Sequence, residues 1–87
     1  MHAVNMKGTL LNSTPVVLNV SNVDAPMTIT LESSYASRKI ELSTNGGAEY
    51  FTPTPTVTSS TMQVVTVAYP ITTVRITGQN ADVWGIL

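Results

Sequence analysis

Few residues in this 87-residue chain could do chemistry, and their types and spacing limit what that chemistry could be. The only histidine is His2, beside the first methionine, and there is no cysteine. A Ser-His-Asp or Cys-His arrangement, or a zinc site of Cys and His ligands, therefore lacks its components. The carboxylates are Asp24, Glu32, Glu41, Glu49 and Asp82. Glycoside hydrolysis needs two of them facing each other across a cleft, and calcium needs several acidic oxygens gathered around one site. These five are instead scattered over turns and solvent-facing strand positions. The sequence thus predicts no catalytic residue, no cofactor and no metal, and a protein that is not an enzyme. Five aromatic residues could stack on a sugar: Tyr35, Tyr50, Phe51, Tyr69 and Trp84. Of these, Tyr35 in the "SSYAS" loop is expected to be the most exposed, while Trp84 is expected in the core or at a subunit contact.

Charge narrows the partners. Only 10% of the residues are charged and the net charge is −1, against about 25% charged residues in an average soluble domain. Such a chain has no field to steer nucleic acid or anionic lipid, so neither nucleic acid nor membrane is expected as a partner. Its polarity comes from Ser, Asn and fourteen threonines, a neutral hydroxyl surface suited to lasting contact with protein. No stretch approaches the roughly 18 apolar residues of a membrane span, and no basic start leads into an apolar run. Synthesis in the cytoplasm is the expectation. "NST" at Asn12 and "NVS" at Asn19 match the glycosylation pattern, but are read as coincidences of a Ser/Thr-rich chain.

The elements that would position these residues are strands. Helical periodicity is absent, and two-residue alternation recurs in runs rich in Val, Ile and Thr. "MTITLE" sets Met27, Ile29 and Leu31 on one face, and "PVVLNV" does the same with Val16, Leu18 and Val20. "RKIELS" points Ile40 and Leu42 inward and Lys39, Glu41 and Ser43 outward. "MQVVTVA" is apolar on both faces and is read as a central strand. "TTVRITG" places Val74 and Ile76 inward and Arg75 outward, where it should find a partner, and "DVWGIL" supplies a last strand.

Turn signals recur every 8 to 12 residues or so, the grammar of a sandwich or small barrel. The expected fold is all-β, a small antiparallel β-sandwich or barrel of about seven to eight strands. "TPTPTVTSS" carries Pro53 and Pro55, which cannot donate to a ladder, and is read as an extended edge or loop. Residues 1–14 read either as a first strand or as an apolar arm ordered against a neighbour, with residues 15–87 as the sandwich. Val4, Met6, Leu10, Leu11 and Tyr35 are the candidate subunit or capsid interface. A chain of this length buries only about 60 to 65% of its unfolded surface. Without disulfides or a metal, association is its remaining source of stability.

"STNGGAEYF", Ser43 to Phe51, is the sharpest local feature. An Asn45-Gly46 two-residue turn would set Glu49 opposite Leu42 on the inward face, at a cost of several kcal/mol. A three-residue loop, Asn45, Gly46 and Gly47, pairs Leu42 with Tyr50 and is the favoured reading, with Tyr50 inward. A loop at Gly46 and Gly47 that pairs Leu42 with Phe51 is the other acceptable register. Asn45 can close the turn through its side chain.

"STNGGAEY" resembles the Asp-box, S-x-D-x-G-x-x-W, of sialidases and other glycan-handling β-proteins, with Asn45 for Asp and Tyr50 for Trp. In that family the box is a structural hairpin away from catalysis, so the stretch is read as a turn. Over the last fifty or so residues, "RKIELSTNGGAEYFTP" and "YPITTVRITGQNADVWGIL" resemble small structural proteins of tailed bacteriophages. The resemblance implies a virion protein made in a bacterial host. Its expected role is decorating or cementing the capsid surface as a homo-oligomer, a trimer favoured, that bridges the major capsid protein. The alternatives are a glycan- or receptor-binding module of a tail fibre and a tail or head-completion protein.

Overall fold

The structure, a computed structural model, describes residues 5–21 and 26–87. Among them are eight strands and no helix: β1 (Met6–Thr9), β2 (Val16–Asn19), β3 (Met27–Glu32), β4 (Lys39–Ser43), β5 (Val57–Thr58), β6 (Met62–Val67), β7 (Thr73–Thr77) and β8 (Val83–Ile86). They form two antiparallel sheets, one of five strands in the order β1-β8-β3-β6-β5 and one of three in the order β2-β7-β4. The fold is an all-β sandwich.

Alternation fills the space between the sheets. Met27, Ile29 and Leu31 from β3, Val65 and Val67 from β6, and Ile86 from β8 face Ile40, Leu42, Val74 and Ile76 of the smaller sheet, all essentially without solvent contact. Leu10, Val20 and Ile71 close the ends from connecting segments. Only β5 and β6 are consecutive strands paired within one sheet. Every other described neighbour in sequence lies in the opposite sheet, so the core is built from contacts distant along the chain.

One detail departs from the sequence expectation. β6 is not central: it lies next to the sheet end, paired along its length with β3 and over two residues with β5. Its outer face is apolar because Val64 is half-buried opposite Val57 of β5. Residues Met6–Thr9 pair with β8, setting Met6 opposite Ile86 and Gly8 opposite Trp84. This part of residues 1–14 is a strand of the same molecule. The radius of gyration is 11.8 Å, against about 12 Å for a compact chain of this length.

β1 and β2 end their respective sheets on the same flank, joined by a tight turn with Leu11 and Thr14 bridged. Asn12 and Ser13 both have positive φ, 54° and 61°, the sign pattern of a type I′ hairpin turn without glycine. Asn80 anchors it, its Oδ1 accepting the Asn12 N–H at 2.8 Å.

Candidate functional site

The "STNGGAEYF" stretch holds the densest hydrogen-bond network of the smaller sheet, and its register is not the favoured one. Leu42 and Phe51 exchange both backbone hydrogen bonds at 2.9 Å, so Leu42 pairs with Phe51 rather than with Tyr50. Between them the chain does not form a ladder. Ser43, fully buried, accepts the N–H of Asn45 at 3.2 Å and of Gly47 at 2.9 Å on its Oγ, and donates its hydroxyl to Asn45 Oδ1 at 2.8 Å. Asn45 Oδ1 also accepts the Glu49 N–H at 3.0 Å, which closes the loop through side chains. Gly46 and Gly47 both have positive φ, and a Cβ on Gly47 would sit 3.0 Å from the Tyr50 hydroxyl.

Tyr50 is therefore not inward. It lies on the outer face of the smaller sheet with the Arg75 guanidinium 3.9 Å from its ring centroid. Arg75 in turn makes a two-pronged contact with Glu41, Nε to Oε1 and Nη2 to Oε2, each at 2.9 Å. Glu41 and Arg75 are direct neighbours across β4 and β7. Glu41 keeps its expected outward side, yet these neighbours bury it. Hydrogen bonding from Arg75 outweighs burial and holds the Glu41 carboxyl below the usual carboxylate range, and the same bond raises Arg75. Both charges serve each other rather than a ligand.

The remaining candidates separate into inner and outer positions. Val4 lies outside the described residues. Leu10 is in the core, Met6 is half-buried against it, and Leu11 is the exposed member of the set at 73%. Tyr35 is half-buried, and its carbonyl accepts bonds from the backbone and Nη1 of Arg38. The most exposed aromatics are instead Phe51 at 41% and Tyr69 at 44%, ring centroids 6.4 Å apart. Both rings stand among the five aromatics of the sequence, but no local pattern tells that the Leu42–Phe51 bridge sets Phe51 beside Tyr69. Trp84 is a core residue at 7% exposure, its indole against the backbone of Gly8.

Among the described residues no three His, Cys, Asp or Glu side chains gather as a metal site. Among the hollows on the described surface are two beside β1. One, of about 260 Å³, lies between Leu10 and Val16 at the β1–β2 turn. The other, of about 380 Å³, is floored by Gly85 and rimmed by Lys7, Thr30, Val83 and Leu87 on the outside of the larger sheet. Leu11, Val17, Val57, Val83 and Leu87 are apolar side chains that stand exposed. No family model, no curated protein and no solved structure matches this chain.

Proposed function

We propose that this chain is a virion structural protein, a decoration or cementing subunit of a bacteriophage head that acts by associating with its own copies and with the major capsid protein. The observation that carries the reading is the unguarded apolar surface of a very small sandwich. Val17, Val83 and Leu87 stand in solvent on the two outer sheet faces, Val17 beside Arg75, which is already paired with Glu41, and Val83 beside Glu32. Covering them adds apolar burial to a thin core, at about 25 cal/mol per Å². Association of this kind stabilises the folded subunit by mass action on the assembled particle. The resemblance of the last fifty or so residues to phage structural proteins favours the head and a trimer. Light scattering and co-sedimentation with purified heads test the reading: oligomers that pellet with the heads are expected, and a strict monomer that stays in the supernatant contradicts it.

The exposed Phe51 and Tyr69 rings favour a second reading, a glycan-binding module of a tail fibre. Aromatic faces of this kind stack on sugar rings. A glycan array expected to show hits lost on Tyr69→Ala would favour this reading over the first, and an array without hits counts against it.

A further inference from the structure

The hydrophobic residues that pack on the core yet remain half-buried are Met6, Val16 and Leu18, and all three sit on β1 and β2. These strands end the two sheets on one flank, so the core opens to solvent along a seam between them. The opposite flank is closed by the Leu42–Phe51 bridge and the contact of Phe51 with Tyr69. Sheet edges that must stay single carry guards such as charge, proline or brevity. β1 has Lys7 at its middle, β5 is two residues long beyond Pro53 and Pro55, and β4 is bounded by Lys39 and the bridge to Phe51. Within β2 (Val16–Asn19) there is neither charge nor proline, Pro15 lying just before it, and no charged residue occurs from Leu11 to Ser21.

The hydrogen-bond parity of β2 completes the picture. Val20 donates to Thr72 of the segment entering β7, and bonded pairs alternate along an antiparallel ladder, so Val16 and Leu18 also bond toward β7. The N–H and C=O of Val17 and Asn19 point the other way, and no described residue bonds them. We infer that β2 is a pairing edge for β2 of a second copy, antiparallel about a two-fold axis through Leu18. In that register Val17 faces Asn19 of the other copy and exchanges both backbone bonds with it, twice over by symmetry. Leu18 meets its own counterpart on the core side, and Val16 meets Val20, so two of the three residues along the open seam are covered.

Charge and size favour a second copy as the occupant. Two neutral β2 edges meet without repulsion, whereas a β1 contact would set Lys7 against itself. The molecule measures 29 × 24 × 21 Å; a whole flank against its counterpart removes at least on the order of 1,000 Å² in total, the area a specific interface should clear. The contact is isologous and joins copies in pairs, so in a trimeric assembly it lies between trimers. It deepens the association proposed above but is read from the isolated chain, so the two can fail separately.

Sedimentation equilibrium on the isolated chain tests it. The wild type is expected at an even multiple of 9.3 kDa. Val17→Pro removes only an edge N–H and should halve that mass with an unchanged far-ultraviolet circular dichroism spectrum. Because the chain has no cysteine, Leu18→Cys supplies one thiol on the two-fold axis. Mild oxidation should link it into covalent dimers at least tenfold faster than Lys7→Cys on the guarded edge. If Val17→Pro does not fold, the cross-linking comparison decides alone. A monomer at every concentration, an odd multiple, or equal cross-linking at both positions overturns the inference. A monomer that still binds heads would overturn this contact alone.

Discussion

Replacing Ser43 by alanine removes the atom on which the 43–50 loop is organised. Its Oγ takes two backbone N–H groups and gives its own proton to Asn45 Oδ1, and the side chain has no solvent contact. An unpartnered buried donor costs about 1 to 3 kcal/mol. Gly47 is half-buried and Asn45 exposed, so water can reach the freed N–H groups in part and the low end applies to each. The expected loss is about 2 kcal/mol, which for a domain of this size lowers Tm by roughly 10 °C. Urea unfolding followed by circular dichroism, at one protein concentration so that association does not shift the midpoint, measures it with m unchanged. Asn45→Ala should lose less, since the Asn45 side chain is exposed. The double variant should lose less than the two singles together, by about 0.5 kcal/mol or more, because the Ser43–Asn45 bond is counted twice. Additive effects, or a Ser43→Ala loss under about 0.5 kcal/mol, would refute the claim that this side chain holds the loop.

Three further outcomes follow from local geometry. Ser13 holds φ at 61° without the tolerance of glycine or asparagine, so Ser13→Gly should raise stability by about 0.5 to 1 kcal/mol in the same urea assay, and a loss would show that the turn is not strained there. A Cβ on Gly8 would come 2.9 Å from Trp84 Cζ2, so Gly8→Ala should cost about 1 to 3 kcal/mol and red-shift the emission of the single tryptophan, whereas unchanged emission would place the indole elsewhere. The Glu41 carboxyl is held below its unfolded pKa by Arg75, so its contribution is complete above the unfolded value and is lost as pH falls through the folded one. Below about pH 5, Glu41→Gln should therefore lose less stability on acidification than the wild type, and parallel pH profiles would contradict the assignment.

The parts of the fold that were legible are those set by alternation alone. Met27, Ile29, Leu31, Ile40, Leu42, Val74 and Ile76 are all buried as the two-residue period requires, because a strand between two sheets has only one dry side. Sheet membership was not legible, since all consecutive described strands except β5 and β6 alternate between sheets and no local signal records a partner far along the chain. Of the two acceptable hairpin registers the structure takes the second, Leu42 with Phe51, and the favoured one fails for a related reason. Weighing turn types asks which backbone loop is cheapest, whereas here Ser43 and Asn45 side chains hold an open loop and Arg75 draws Tyr50 outward. The Arg75–Glu41 pair could have been found by asking which carboxylate shares its face. Gly8 was visible as a glycine, but its reason, an indole crossing it from β8, depends on a strand pair that the sequence does not announce.

The proposed function makes this small sandwich a structural part of a phage head. Immunogold electron microscopy, with an antibody to this chain, of particles purified from the culture that produces it tests the claim most directly. The account predicts gold on the head surface of most particles. Particles that carry no label while the antibody finds the chain free in the lysate, or label confined to fibre tips, would contradict it.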